Sequence, residues 1–111
     1  MAAPRRGEVW SVDLGMAARV RPAVVISMPT ADNERSLVTI VPHTTSARQS
    51  GFEASVSVPF LPAGVFDAQN LITIPNTKLI QSLGVLGSAH LAVVERAVRL
   101  WLGLPFVSSE T

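Results

Sequence analysis

The chain has 111 residues, enough for one domain spanning 1–111 that can bury a core but is small enough to be marginal alone. Hydrophobic residues make up 48% and charged residues only 15%, against about 25% charged in ordinary globular chains, so apolar surface is in excess and is most simply hidden against a second copy. With no cysteine, disulfides, thiolate catalysis and zinc–thiolate sites are excluded and a cytoplasmic setting fits; the net charge of +1 does not by itself announce a nucleic-acid binder.

The N-terminal MAAPRRGEVW carries two arginines with no apolar segment after them, so no signal peptide is expected. No apolar run approaches the roughly 18 residues of a membrane span. Residues 7–14 (GEVWSVDL) read as a strand, with Val9, Ser11 and Asp13 on one face and Trp10, Val12 and Leu14 on the other. After a loop from Gly15 to Arg19, residues 20–27 (VRPAVVIS) form a second strand. Pro22 lacks a donor, which puts the start of that strand at an edge or bulge. Residues 28–35 carry turn chemistry, and residues 36–43 (SLVTIVPH) form a third strand that Pro42 should break or bulge at its end. A flexible loop is expected over 47–51. Residues 53–59 (EASVSVP) alternate as a half-exposed strand, Pro62 and Gly64 mark a turn, and residues 65–74 return as a strand. Pro75 begins a short helical turn to about Ser82, with a brief strand at Gly84–Leu86. The clearest helix is 89–102, with Ser88 as N-cap, Leu91, Val94, Val98, Trp101 and Leu102 on one face, and Gly103 as the C′ residue. Short strands followed by one terminal helix predict a mainly β fold, a small curved sheet or barrel capped by a helix.

Common catalytic signatures are missing. There is no phosphate-binding glycine loop, no nucleophile elbow and no useful carboxylate pair, and the eight acids are scattered, unlike those of metal-dependent nucleases. The two histidines, His43 and His90, lack metal-ligand spacing, and no cofactor is implied. At 5%, aromatic residues are too few for a base-stacking platform. What remains is Arg21 at a strand start, hydroxyls at a strand end, and a local positive patch from Arg19, Arg21 and Arg48, which lie away from acids. These suffice for one reaction. RNA carries its own nucleophile, the 2′-hydroxyl, and a guanidinium with a threonine hydroxyl can stabilise the charge that its attack places on phosphorus.

Three segments, RRGEVWSVDLG at 5–15, VRPAVVIS at 20–27 and TIVPHTTS at 39–46, together with VFDAQNLITIPNTKLI at 65–80 and a final helix ending in RLWLGL, resemble the MazF/PemK family of toxin–antitoxin ribonucleases. The resemblance implies an SH3-like small barrel of the PemK/CcdB type, a homodimer, and metal-independent cleavage of single-stranded RNA to 2′,3′-cyclic phosphate and 5′-hydroxyl ends. It also implies a cognate antitoxin. Arg21 matches the arginine of the family's R-P pair and Thr45 the threonine closing its third strand, which makes these two the expected catalytic residues. Arg19, His43, Ser46, Arg48 and Gln69 are the expected RNA-contacting residues.

The sequence departs from the family pattern in its short loop after Gly15 and in Gln69-Asn70-Leu71-Ile72, where a basic residue is missing. Two alternatives follow: a CcdB-like toxin that acts by binding gyrase, or a degenerate member that binds RNA or antitoxin without cutting. Each residue also has a plainer role. Arg21 alone would be a surface strand residue and Thr45 a turn hydroxyl; a lone strand histidine such as His43 is more often structural than a general base; Gln69 and Asn70 could read base edges, yet such amides commonly cap turns.

Overall fold

The computed structural model describes residues 3–15 and 19–106. Among these residues seven strands precede one helix: β1 (Glu8–Asp13), β2 (Val20–Val25), β3 (Leu37–Thr44), β4 (Glu53–Ser55), β5 (Val65–Asp67), β6 (Ile72–Pro75), β7 (Leu79–Val85) and α1 (Ser88–Leu102). One 3-10 turn, Ala68–Asn70, separates β5 from β6, and another, Asn76–Lys78, separates β6 from β7. No helix among the described residues is long and apolar enough to cross a membrane.

All pairings are antiparallel, and one sheet runs β6-β3-β2-β1-β7. Its two outer strands, β6 and β7, are joined by only the 3-10 turn at 76–78, so the edges of the sheet must curl towards each other. Two irregularities in the β1–β7 register add local twist and help the curl. The result is an incompletely closed small barrel, as expected. Beyond it, the far end of β3 pairs with β5, and β5 with β4.

Strand alternation gives the sheet two apolar faces. Val12, Ala23, Val25, Val38, Ile40 and Ile74 fill the barrel interior. Val9, Val24, Val41, Ala54 and Phe66 face outward and are covered by Val94, Ala97 and Val98 of α1. Each buried aliphatic side chain contributes roughly 1.5–3 kcal/mol to folding before entropy is counted. Arg6 pins the N-terminal segment to this layer through an ion pair with Glu95 and a hydrogen bond donated to the Ile26 carbonyl.

Several local expectations change. Pro42 does not break β3. Residue 42 presents its backbone nitrogen to the side where β6 pairing stops at Ile40 and β5 pairing begins at His43, so its missing donor falls in the gap between partners. Pro22 sits where β2 is paired with β1 but not yet with β3, as its chemistry requires. β4 is short because residues 56–61 have no ladder partner; Val56 is buried and Val58, Phe60 and Leu61 pack onto the outer core. The expected strand over 65–74 is interrupted at Asp67, whose side chain accepts from the Gln69 N–H and starts the 3-10 turn. The helical region expected over 75–82 shrinks to 76–78, because Leu79 onward pairs with β1. Gly87, not Ser88, is the N-cap of α1, with no side-chain cap, whereas Gly103 adopts the left-handed conformation (φ 69°) expected after the helix.

A candidate active-site groove

An open groove of about 740 Å³ lies where β2 begins and β3 ends. Its floor is one continuous face of the sheet. Ala23 pairs with Pro42 and Val25 with Ile40; continuing that register sets Arg21 opposite Thr44 on the same face. On the other flank of β3, the β3–β5 register brings Asp67 level with Pro42, and Glu53 pairs with Asp67. Cross-strand neighbours share a face, so Arg21, Thr44, Asp67 and Glu53 all look into the groove, and all four line it. Arg21 and Asp67 stand two strand spacings apart, roughly 10 Å.

Thr44 closes β3, and its Oγ1 accepts from the Ser46 N–H at 3.1 Å. With the oxygen committed as acceptor, the hydroxyl proton is free to be donated into the groove. Ser46 and Arg48 follow on the loop that forms the rim. Glu53 sets the shape of that loop. Its carboxylate accepts from Arg48 N at 3.1 and 3.0 Å and from Ser50 N at 3.1 Å, bracketing Gln49, which holds a left-handed φ of 60°. Asp67 does the same for the opposite wall, accepting from Gln69 N at 3.1 Å and from the Asn70 side-chain amide at 2.6 Å. Ile72 completes that wall. Among the described residues no group of three or more His, Cys, Asp or Glu side chains is placed to hold a metal ion.

The structure therefore brings Arg21, Ser46, Arg48 and Gln69 together as anticipated. It does not place every expected residue in the groove. Thr45 is exposed in the bend after β3 and is not among the lining residues, whereas Thr44 is; the strand runs one residue further than its sequence pattern indicates. Arg19 is exposed, with φ 52°, and its backbone N–H and carbonyl bond to Gly15 and Leu14 to close the loop before β2. His43 borders the groove, but alternation turns its ring to the opposite face, edge-on to Phe66 at 5.1 Å and 2% exposed. Burial lowers its pKa, so the ring is neutral near pH 7. Its Nε2 is buried with no hydrogen-bond partner among the described residues. Thr44, Glu53 and Asp67 were not singled out from sequence. The period of two along β3, counted from the buried Ile40, would have found Thr44; the two acids need the β4–β5 pairing, which no local pattern reveals.

Comparison with known proteins identifies the family and the fold. The pattern of PemK-like, MazF-like toxins of type II toxin–antitoxin systems matches residues 5–102. Endoribonuclease MazF9 of Mycobacterium tuberculosis (strain ATCC 25618 / H37Rv) is 32% identical over 114 residues, covering 90% of this chain and 97% of its own. An endoribonuclease from a mycobacterial species, solved in complex with its cognate antitoxin, superposes with a TM-score of 0.81 at 27% identity, covering 95% of this chain and 100% of that one. MazF of Deinococcus radiodurans, solved with MazE, shares the fold with a TM-score of 0.78 at 21% identity, over 95% of this chain and 100% of that one. The chain belongs to the PemK/MazF family of type II toxin–antitoxin toxins.

Proposed function

We propose that the protein is an endoribonuclease toxin that cuts single-stranded RNA without a metal ion, acts as a homodimer, and is restrained by an antitoxin. The observation that carries this reading is the pairing of a guanidinium and a free hydroxyl proton, Arg21 and Thr44, on one face of adjacent strands in an open groove.

The reaction follows from these groups. The 2′-oxygen attacks the neighbouring phosphorus, the bond to the 5′-oxygen breaks, and a 2′,3′-cyclic phosphate and a 5′-hydroxyl result. The 2′-hydroxyl loses a proton and the departing 5′-oxygen gains one. The nucleophile is part of the substrate, so no metal is needed to generate it. Arg21 spans two phosphate oxygens with its planar fork and offsets the charge that builds on them. Thr44 donates to a non-bridging oxygen. Arg48 and Ser46 hold the strand at the rim, and Glu53 keeps that rim in place through backbone hydrogen bonds rather than by touching RNA. An antitoxin tail rich in acidic and apolar residues would compete for the same groove.

Purified protein is incubated in EDTA with a long mixed RNA, beside Arg21→Ala, Thr44→Ala and Thr45→Ala. Loss of one preorganised donor should slow cleavage by about 10²–10³-fold for the first two, with Thr45→Ala milder. Intact RNA with folded wild-type protein would overturn the reading. A slower Thr45→Ala than Thr44→Ala would move the hydroxyl role to Thr45.

A further inference from the structure

We infer that the wall formed by Asp67 and Asn70 reads one nucleobase beside the cut phosphate at its purine 6- or pyrimidine 4-position, selecting adenine and cytosine, which carry an amino group there, over guanine and uracil, which carry a carbonyl oxygen. This rests on the ribonuclease reading and assigns its sequence preference to two residues.

The charges in the groove point this way. Arg21 stands on one flank of β3 and Asp67 on the other, on the same face, with Glu53 beyond Asp67. The cut phosphodiester is drawn to Arg21 and a neighbouring one to Arg48 on the rim, while the Asp67 carboxylate repels both. The part of a bound nucleotide that can lie along Asp67 is its base. Ile72, which is 46% exposed, offers that base an apolar shelf.

The hydrogen bonds fix what this wall presents. An ionised carboxylate only accepts, so the end of the Asn70 amide that meets Asp67 Oδ2 at 2.6 Å must be its NH₂. Asp67 is itself fixed, because its other oxygen accepts from Gln69 N at 3.1 Å at the start of the 3-10 turn. The Asn70 carbonyl oxygen therefore points away from Asp67 as an oriented acceptor, and Asn70 is exposed, which leaves that oxygen open to a ligand. At the 6-position of a purine and the 4-position of a pyrimidine, adenine and cytosine carry an exocyclic amino group where guanine and uracil carry a carbonyl oxygen; the amino group of guanine lies on the other edge of its ring, at the 2-position. An amino group at the 6- or 4-position donates to the Asn70 carbonyl oxygen; a carbonyl there would set two acceptors face to face. Asn70 is thus a specificity-determining residue and Asp67 its positioning partner.

The test measures binding and cleavage separately. Uncleavable 2′-O-methyl RNA heptamers, varied one nucleotide at a time, are titrated against wild type, Asn70→Ala and Asp67→Asn, each checked for folding by thermal melt. In parallel, a randomised RNA pool is digested and the cut ends are sequenced. At one position the wild type should prefer adenine or cytosine by roughly tenfold. Both variants should flatten that position and leave preferences elsewhere in place. Asp67→Asn acting like Asn70→Ala would show that orientation, and not mere presence of the amide, sets the choice. A wild type with no preference for adenine or cytosine, or variants that weaken all sequences equally, would overturn the inference. A wild type that binds with the stated preference yet cuts nothing would support it and defeat the ribonuclease reading instead.

Discussion

His43 and Thr44 are adjacent in the chain and face opposite sides of β3, and that single alternation decides their surroundings. Thr44 meets the groove with its hydroxyl; His43 meets Phe66 in the outer core. A neutral imidazole buried there has a pKa below its ordinary 6.5 because burial penalises the charged form. The folded state then binds fewer protons than the unfolded chain below that value. The contribution to stability is complete above about pH 6.5 and declines as pH falls towards the lowered folded value. Wild type should therefore lose more of its urea midpoint than His43→Phe between about pH 7.5 and about pH 5.5. Parallel losses would mean that the ring takes up its proton in the fold just as it does in the unfolded chain. At this scale residue type and motif order single out Arg21, Ser46, Arg48 and Gln69, which the fold gathers at the groove. Which of Thr44 and Thr45 faces the groove could not be read, because it hangs on where the strand ends, and Pro42 gave a false stop signal.

At the scale of elements, β3 organises the site by pairing with β2 along one edge and with β6 and then β5 along the other. The strands with strong local patterns, β1 to β3, and the helix α1 could be read from sequence, since each buries a periodic apolar face. β5 and β6 fall within the strand expected over 65–74, but the 3-10 break at Ala68–Asn70 and the full length of β7, expected only at Gly84–Leu86, could not be read, because the first depends on the Asp67 side chain and the second on pairing with the distant β1. The approach of the chain to the end of β3 is similarly non-local. Gly64 packs so closely there that a Cβ would stand 2.7 Å from a His43 ring carbon and closer still to the Thr44 carbonyl oxygen. Backbone cannot retreat as a flexible side chain can. Gly64→Ala should destabilise the protein by about 1–3 kcal/mol through overpacking and should slow RNA cleavage by displacing Thr44. Chemical denaturation checks the first effect. An unchanged midpoint would show that the 62–64 turn shifts without cost.

For the whole molecule, the scarce charge of the sequence has a structural counterpart. Among the described residues β7 pairs with β1 on one side only, and its Ile80 and Val85 are 55% and 63% exposed. A free edge bearing apolar side chains invites association and is normally covered. Further exposed apolar residues, Leu100, Leu102, Leu104 and Phe106, gather at the end of α1. Burying such surface is worth about 25 cal/mol per Å², and closed two-fold pairing is the commonest way for a small chain to do so. The expected species in solution is a dimer of the 11.8 kDa chain. Light scattering coupled to size-exclusion chromatography measures it directly. Ile80→Lys places a charge on the exposed edge without touching either core, so it should leave the thermal transition of the monomer fold in place while shifting the mass towards one chain on dilution. A wild type that elutes as a single chain at all concentrations would refute the dimer. A dimeric Ile80→Lys variant would move the interface away from β7, leaving the apolar end of α1 to be tested by Leu100→Lys in the same assay.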